Sequence, residues 1–284
     1  MKTFIRSFRR FYCETTHFGF QNVAIEEKSA RVSQVFDSVA SKYDIMNDVM
    51  SCGVHRVWKN IFVSDLDPKP NTKILDVAGG TGDIGFRIVD YVKNRSPGYS
   101  SDFLAAYFPF IKPSFGIENV SDSVDVTVCD INDSMLNEGK KRAGIRADEV
   151  TWACENGEQL SFPDNQFDAY TIAFGIRNFS RIQKGLDEAF RVVRDGGRFM
   201  CLEFGYVNND TLRYFYDLYS FQCIPVFGQL CAGDWDSYQY LVESIRKFPS
   251  QENFKKMMYK AGFKAVRHTN LLGGVAVIYS GFKI

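Results

Sequence analysis

The chain has 284 residues, of which 45% are hydrophobic and 24% are charged, as is ordinary for a soluble globular protein. This length suits one large α/β domain with additions, or two small domains. The 34 basic and 34 acidic residues give a formal net charge of zero, which argues against broad nucleic-acid binding through phosphate neutralisation. Seven cysteines without a Cys-x-x-Cys pair, and three widely separated histidines, favour neither a disulfide framework nor a metal site.

The first 24 residues are basic: four lysine or arginine residues precede the first acidic residue, Glu14, and large apolar side chains lie between them. A secretory signal would need an apolar core of roughly 7–15 residues, which is missing here. Basic, acid-poor and amphipathic starts are typical of mitochondrial transit peptides. We therefore predict a transit peptide over residues 1–24 and a folded domain over 25–284. A disordered basic tail is the alternative.

The spacing of apolar residues predicts helices over residues 30–60. The same stretch carries polar side chains, among them Tyr43 and Asp44, beside Met46, Met50 and Trp58. A helical cap over a binding cleft would have this composition. An ordinary pair of amphipathic helices would have it too, and both interpretations stay open at this point.

Residues 73–85 read KILDVAGGTGDIG, a short apolar run followed by Gly79, Gly80 and Gly82. The pattern predicts a buried strand, a tight glycine turn and a helix. The first turn of that helix would offer unpaired N–H groups to a ligand. Gly80, Gly82 and Gly85 also fit the G-x-G-x-x-G pattern of dinucleotide sites, which alone is weak evidence.

The residue that discriminates between ligands is Asp76, inside the predicted strand. A carboxylate there would repel a pyrophosphate, but it can pair with the α-ammonium of an amino-acid-like ligand. S-adenosylmethionine (SAM) has that ammonium and no phosphate. We therefore predict a SAM site. In the alternative, Asp76 only caps backbone groups of the turn; a nicotinamide oxidoreductase is disfavoured by the same carboxylate.

Residues 94–125 interrupt the alternation of strands and helices with several prolines around an apolar stretch, 103–111. Nine residues are too few to cross a bilayer, which takes about 20 in a helix. We predict a locally packed insertion, with contact to a membrane surface or a partner as the alternative.

The next predicted strand ends at Asp130. In nucleoside-binding α/β folds an acidic residue at this place accepts hydrogen bonds from ribose hydroxyls. Asp130 lies 48 positions after Gly82, whereas the usual spacing between the glycine turn and the acidic residue is about 20 positions. The insertion accounts for the difference. A helix N-cap is the alternative role for Asp130.

Further strands are predicted within 150–159, 167–174 and 198–204, a helix over 182–193, and a closing antiparallel pair at 263–269 and 275–282. This alternation implies a doubly wound, mostly parallel sheet. Its ligand should lie beyond the C-terminal strand ends, where the sequence places Gly79–Gly82, Asp130, Asn156, Gly157, Arg177 and Asn178. Residues 204–248 hold twelve aromatic side chains, which favours either the wall of a site for a large apolar substrate or simple core packing.

Eight stretches carry a family resemblance: VFDSVASKYDIMND (35–48), DVAGGTGD (76–83), CDINDSML (129–136), FPDNQFD (162–168), FGIRN (174–178), LEF (202–204), DSYQYLVESIR (236–246) and AGF (261–263). Together they resemble the ubiquinone/menaquinone-biosynthesis C-methyltransferase family, within the class I SAM-dependent methyltransferases. The resemblance covers nearly all of the chain after about residue 30. It implies a seven-stranded, Rossmann-like sheet with an N-terminal helical cap (30–60) and an aromatic-rich lid (204–248) before the last two strands.

The resemblance implies SAM-dependent C-methylation of a polyprenylated methoxy-benzoquinol. With the basic start, it points to the mitochondrial coenzyme Q branch, peripheral on the matrix side of the inner membrane and within a multi-subunit biosynthetic complex. Three alternatives stay open: demethylmenaquinol as substrate, methylation of another small molecule, and a non-catalytic scaffold that keeps a SAM pocket.

The family pattern implies that Thr81, Asp130, Asn156 and Gly157 contact SAM. Two residues depart from the commoner members, since Gly157 replaces an alanine and Ala173 stands where some have serine. The first change affects only backbone approach, and the second removes one possible ligand hydroxyl.

Methylation of a ring carbon needs a quinol that loses a phenolic proton, because the charge then reaches the adjacent carbon. A guanidinium stays protonated, so we predict that Arg177 stabilises the phenolate rather than taking the proton. Asn178 and Tyr43 would orient the quinol, and Asp44 or Asp37 would accept the proton.

Overall fold

The computed structural model describes residues 14–40, 43–95 and 123–284. Its strands are β1 (Thr15–Phe18), β2 (Gln21–Ala24), β3 (Lys73–Val77), β4 (Asp125–Asp130), β5 (Thr151–Cys154), β6 (Phe167–Ala173), β7 (Val193–Phe204), β8 (Lys264–Leu271) and β9 (Ala276–Phe282). The last seven form one sheet in the order β5-β4-β3-β6-β7-β9-β8. Strands β3 to β7 pair in parallel, and β9 is antiparallel to both neighbours. The doubly wound sheet and its antiparallel closing pair are confirmed.

The helices are α1 (Ile25–Val39), α2 (Tyr43–Ser51), α3 (Val54–Leu66), α4 (Asp83–Arg95), α5 (Asp133–Ala143), α6 (Ile182–Val192), α7 (Asp210–Gln222), α8 (Ile224–Phe227), α9 (Trp235–Lys247) and α10 (Gln251–Ala261). Two apolar clusters cover the two faces of the sheet, one built on α3 and α4 and the other on α6 and α10. A third cluster, including Val39, Met46, Tyr238 and Val242, joins α1 and α2 to α8 and α9. The N-terminal cap and the aromatic-rich segment therefore pack on each other above the sheet.

The sheet reverses its winding between β3 and β6, because β4 lies on one side of β3 and β6 on the other. Ligands of doubly wound folds bind at this reversal, beyond the carboxyl ends of the strands. The turn after β3 runs through Ala78, Gly80 and Gly82, all with positive φ (52°, 54° and 81°). Glycine adopts that conformation at little cost, so the sequence permits a sharp turn at the switch point.

One predicted boundary is wrong at the N-terminus. Residues 15–24, assigned above to the transit peptide, form an antiparallel hairpin in which Thr15 pairs with Ala24 and Phe18 with Gln21. The hairpin belongs to the folded unit because it docks on it: Phe20 N–H donates to Glu243 Oε2 at 2.9 Å. A leader over the residues before 14 stays a prediction, since those residues lie outside the described part.

The start of one strand also differs from expectation. Strand β7 begins at Val193, not at Arg198, because Val193 pairs with Phe167 ahead of a register shift between Phe167 and Ala169. Of the predicted 94–125 insertion, residues 96–122 lie outside the described ranges, so its packing stays a prediction.

Helix α5 packs closely on the glycine turn at Gly139, where a larger residue would contact the backbone of the turn. A Cβ on Gly139 would lie 2.8–2.9 Å from backbone atoms of Thr81. Alanine in a helix interior normally stabilises by about 0.5–1 kcal/mol relative to glycine. We expect Gly139→Ala to lower the free energy of unfolding by about 1–3 kcal/mol instead, measured by urea titration. The exposed Lys140→Ala is the control; stabilisation by Gly139→Ala would contradict the contact.

Candidate functional site

Two cavities lie side by side above the carboxyl ends of the central strands. The sheet cavity, of about 280 Å³, is lined by the strand-end loops and covered by α1. The cap cavity, of about 300 Å³, lies among α1–α3 and α7–α9. Phe36 and Phe174 line both cavities. Two ligands bound in them would therefore meet at these two rings.

Asp130 lies in the sheet cavity at the end of β4. Its Oδ2 accepts the Gly80 N–H and its Oδ1 the Asn132 N–H, both at 2.9 Å. Asn132 caps α5 by accepting the Met135 N–H, so the alternative of Asp130 as the N-cap is wrong. Burial raises the pKa of Asp130, and the amide hydrogen bonds oppose that rise. The carboxylate is thus held rigidly where a ribose hydroxyl could donate to it.

The loop after β5 brings Asn156 and Gly157 to the same cavity. A Cβ at Gly157 would lie 2.6 Å from the ring of Phe179 and 2.9 Å from Val77. The expectation that the glycine affects only backbone approach is therefore incomplete. In this chain the Phe179 ring occupies the space that an alanine methyl group would need.

The glycine turn contributes to the site unequally. Gly80 lines the sheet cavity. A Cβ at Gly79 would lie 2.7 Å from Val128, and a Cβ at Gly82 would lie 2.8 Å from Trp152. Those two glycines allow close packing of the turn on its neighbours. Thr81 lines a separate open depression with Asp83 and Phe86 rather than the sheet cavity. Contact of SAM with Gly79, Thr81 and Gly82 stays a prediction.

Asp76 is completely buried behind the turn and does not belong to the cavity lining. Its Oδ1 accepts the hydroxyl of Thr171 at 2.9 Å, and its Oδ2 finds no hydrogen-bond partner within the described ranges. Burial raises the pKa of Asp76 to about 7. Direct pairing of Asp76 with the SAM ammonium stays a prediction.

Arg177 lies in a 3₁₀ turn, Ile176–Asn178, and lines the cap cavity. Its Nη1 donates to Oε1 of Glu203 at 3.1 Å and to the Phe174 carbonyl oxygen. Both side chains are almost fully buried, Arg177 at 6% exposure and Glu203 at 0%. Burial raises the pKa of Glu203, and the nearby guanidinium opposes the rise. The Nε of Arg177 has no hydrogen-bond partner in the described part of the chain.

Asn178 lies at the boundary between the two cavities. It lines the sheet cavity, and its Oδ1 accepts the hydroxyl of Tyr240, a residue of the cap cavity, at 2.9 Å. Burial raises the pKa of Tyr240 to about 12, so the phenol stays protonated and remains a donor. The structure therefore brings Arg177 and Asn178 to the junction of the cavities, as predicted for the strand ends.

The cap cavity has a mostly apolar and aromatic wall. Five of the twelve predicted lid aromatics line it: Phe204, Tyr216, Tyr219, Tyr238 and Tyr240. The aromatic-rich segment therefore does form the wall of a cavity. Others, such as Tyr214 and Phe215, are exposed.

His55 lines the cap cavity. Its Nε2 is 2.9 Å from Oδ1 of Asp48, and its buried Nδ1 meets no partner among the described residues. Burial lowers the pKa of His55, while Arg56 and then His55 lower the pKa of Asp48. The imidazole is therefore neutral near neutral pH, and its Nε2 is hydrogen-bonded to the Asp48 carboxylate.

Of the two predicted proton acceptors, Asp37 is not brought together with Arg177. Asp37 is exposed, and it accepts the side-chain amide of Asn132, a residue of the sheet cavity, at 2.9 Å. It does not line the cap cavity. The side chains of Tyr43 and Asp44 lie outside the described part, and their roles stay predictions. No group of three or more His, Cys, Asp or Glu side chains suited to a metal is found in residues 14–40, 43–95 and 123–284.

The profile of the ubiE/COQ5 methyltransferase family matches residues 24–283. The chain belongs to this family. It is 52% identical over 277 residues to the proteins of Bos taurus and Homo sapiens named 2-methoxy-6-polyprenyl-1,4-benzoquinol methylase, mitochondrial, covering 95% of this chain and 84% of each relative. The protein of the same name from Dictyostelium discoideum is 51% identical over 282 residues, with 87% of its length covered.

Solved structures support the fold of the family. A SAM-dependent methyltransferase of Thermotoga maritima, described as a possible histamine N-methyltransferase, superposes with a TM-score of 0.56 at 16% identity, covering 88% of this chain and 99% of that one. The [4+2]-cyclase SpnF gives a TM-score of 0.58 at 13% identity, covering 90% and 96%. A cyclase and a methyltransferase thus share this fold, so the reaction must be argued from the site.

Sequence reasoning missed the groups that hold the ubiE/COQ5 site together. Glu203 stands in the family stretch LEF and Tyr240 in DSYQYLVESIR, but neither was assigned a role. A signal for Glu203 existed, because a carboxylate inside a predicted buried strand needs a cationic partner. Nothing in the local sequence pairs Tyr240 with Asn178, 62 positions away.

The contact between Gly157 and Phe179 is testable by a double-mutant cycle. Gly157→Ala should lower the free energy of unfolding by about 1–3 kcal/mol, because the methyl group overlaps the Phe179 ring. In Phe179→Val that overlap is gone, so we expect the double variant to be more stable than the sum of the single effects by about 1 kcal/mol or more. Thermal and urea unfolding of the single and double variants measure these changes in stability.

Gly139→Ala combined with Phe179→Val serves as the reference pair, since Gly139 meets Thr81 instead. Their effects should add. Equal additivity in both pairs would show that Phe179 does not fill the Gly157 space.

Proposed function

We propose that the chain transfers a methyl group from SAM to a ring carbon of 2-methoxy-6-polyprenyl-1,4-benzoquinol, a step of ubiquinone biosynthesis. The observation that carries the proposal is the pair of adjoining cavities, one with a fixed strand-end carboxylate and one with an apolar wall. Relatives with that activity in their name share about half of the residues over 95% of this chain. The meeting of the cavities at Phe36 and Phe174 supports direct transfer between two bound ligands.

The sheet cavity fits SAM in its donor set. Asp130 would accept from the ribose, and Gly80, Asn156 and Gly157 line the same cavity beside it. Its volume of about 280 Å³ is near the roughly 300 Å³ lower range of small-molecule sites. When bound, SAM supplies an electrophilic methyl group on a positively charged sulfur.

The cap cavity would hold the quinol with its prenyl chain along the aromatic and aliphatic wall. An apolar wall excludes water, which strengthens the electrostatic interactions inside. The guanidinium of Arg177, fixed by Glu203 and the Phe174 carbonyl, would stabilise the phenolate that forms when the quinol loses its proton. Asn178 and Tyr240 would hold the ring at the junction, and Asp44 stays the predicted acceptor of the proton.

We further propose a mitochondrial location, peripheral on the matrix side of the inner membrane and within a biosynthetic complex. The helices that wall the cap cavity carry exposed large apolar side chains: Ile45, Val49, Val57, Ile61, Leu212, Phe215 and Leu218. Such a surface suits a bilayer that delivers a polyprenylated substrate. In the described part of the chain, no helix is long and apolar enough to span a membrane.

The first experiment supplies methyl-labelled SAM and the reduced 2-methoxy-6-prenyl-1,4-benzoquinol, held in phosphatidylcholine–cardiolipin liposomes, to the full chain. We expect label on the ring carbon, because both ligands reach one junction. Sedimentation of the same liposomes reports whether the chain binds the bilayer.

Other outcomes identify the alternatives. Transfer to a demethylmenaquinol but not to the benzoquinol would overturn the substrate, and indifference to prenyl length would indicate another small molecule. SAM binding without transfer to either quinol would favour the scaffold.

Replacing Arg177 tests its role in charge stabilisation. Arg177→Ala alone leaves the Glu203 carboxylate buried without its partner, which costs about 3–5 kcal/mol of stability. The double variant Arg177→Met/Glu203→Gln avoids that buried charge. We expect it to lose about 10²–10³-fold in kcat, measured with labelled SAM, while the Kd of SAM changes little.

The exposed Arg194→Ala, whose partner is Asp168, is the matched control and should keep full activity. Unchanged turnover in the double variant with normal SAM affinity would show that the guanidinium does not stabilise the phenolate.

A further inference from the structure

The N-terminal hairpin and the first turn of α1 contact the turn that carries Arg177 and Asn178. We name residues 14–28 the N-terminal clamp and residues 176–180 the catalytic turn. Thr16 Oγ1 donates to the Ser180 carbonyl at 3.1 Å, and Ser180 Oγ donates back to the Ile25 carbonyl at 3.3 Å. These two bonds join residues 164 and 155 positions apart in sequence, so they are tertiary contacts.

Lys28 is the strongest link between the two segments. Its ammonium is 1% exposed and donates to the carbonyl oxygens of Phe179 at 2.8 Å and Arg177 at 3.4 Å. Burial lowers the pKa of Lys28 to about 8, with Glu158 acting in the opposite direction. Burying an ammonium is unfavourable unless it is well bonded, so a lysine here is not explained by packing of the apolar core.

The two carbonyl oxygens belong to the end of the 3₁₀ turn, Ile176–Asn178. Carbonyl groups at a helix end have no partner inside the helix and carry partial negative charge. An ammonium that bonds both satisfies them and ties the end of the turn to α1. The side chain of Arg177 is thereby set relative to the cap cavity.

Phe18 provides a second link to the catalytic turn, through Tyr240. Its ring stacks on Tyr240 with centroids 4.1 Å apart and planes 14° apart, and Arg31 lies 5.5 Å over the same ring. The Tyr240 hydroxyl in turn donates to Asn178. A stacked ring restricts the tilt of the phenol, so Phe18 acts on Asn178 through Tyr240.

We infer that Lys28 and Phe18 are positioning residues for methyl transfer: through the catalytic turn and Tyr240 they hold Arg177 toward the cap cavity and Asn178 at the junction. The inference rests on the proposed function of Arg177 and Asn178. It makes the hairpin part of the active site and not only of the fold. Displacement of such groups by about 1 Å can cost about 10²-fold in rate.

The test compares Lys28→Met and Phe18→Ala with Phe20→Ala in the full chain. Phe20 belongs to the same hairpin, is 51% exposed and neighbours Phe221 rather than Tyr240. For the two clamp variants we expect kcat to fall about 10- to 100-fold, with the KM for SAM changed by no more than about threefold. Phe18→Tyr keeps a ring that can stack on Tyr240 and should restore most of kcat.

Hydrogen exchange followed by mass spectrometry gives a readout that needs no substrate. The amides of Ser180 and Arg181 donate to Oε1 of Glu158 at 2.6 and 3.2 Å, next to the clamp contacts. In Lys28→Met we expect exchange over residues 174–185 to be about tenfold faster, with the core peptides unchanged. Phe20→Ala should leave this region as in the wild type.

The outcomes separate the two proposals. A wild-type chain that methylates no benzoquinol would overturn the proposed function. Hydrogen exchange would still test whether the N-terminal clamp orders the catalytic turn. An active wild type whose clamp variants keep normal kcat and normal exchange would overturn the clamp. An equal loss of kcat in Phe20→Ala would show that the hairpin acts through general stability, which also overturns the positioning role.

Discussion

The buried ion pair between Arg177 and Glu203 is the constraint around which the site is arranged. A carboxylate with 0% exposure inside the sheet is tolerable only if it is paired and hydrogen-bonded. Glu203 meets this need by accepting the Phe204 N–H at 2.9 Å and the Arg177 N–H at 3.3 Å in addition to the guanidinium. Strand β7 therefore contacts both the backbone and the side chain of Arg177. The chain leaves β6 through Phe174, whose φ of 56° is unusual for a bulky residue, and the bond from Arg177 to its carbonyl supports that conformation.

The same constraint explains why the two cavities meet where they do. Phe174 lies between β6 and the catalytic turn, and it is one of the two rings shared by both cavity walls. The other shared ring, Phe36, comes from α1, which lies over the sheet cavity and also packs on α9 through the third apolar cluster. A methyl group must cross at this boundary if SAM and the quinol occupy the two cavities. Separate ligand chambers with one shared boundary would allow a water-soluble cofactor and an apolar substrate to enter from different sides.

Sequence reasoning predicted the sheet well because each of its signals is local. Apolar runs, the glycine turn and the placement of Asp130 at a strand end are all determined within a few residues, and each matches the structure. The side-chain pairs that hold the site could not be predicted from local sequence. Arg177 and Glu203 become neighbours only after folding, and so do Asn178 and Tyr240. The position of Asp76 inside a strand was predicted, but its burial away from the cavity and its bond to Thr171 of the adjacent strand were not. Thr81 was assigned by resemblance, and its direction away from the sheet cavity depends on how α5 packs on the turn.

The N-terminal hairpin was missed because residues 1–24 were treated as one segment on the basis of their overall composition. All the positive charge that suggested a transit peptide lies before residue 14, whereas residues 14–24 hold only Glu14 and His17 as ionisable groups. Within that second stretch, Thr15, Thr16 and Val23 are good strand formers on either side of Gly19, whose φ of 56° suits a tight turn. The leader-like charge and the docked hairpin are therefore separate features that happen to be adjacent. A leader confined to the charged part can be removed without touching the catalytic turn, whereas one ending at residue 24 would take Thr16 and Phe18 with it.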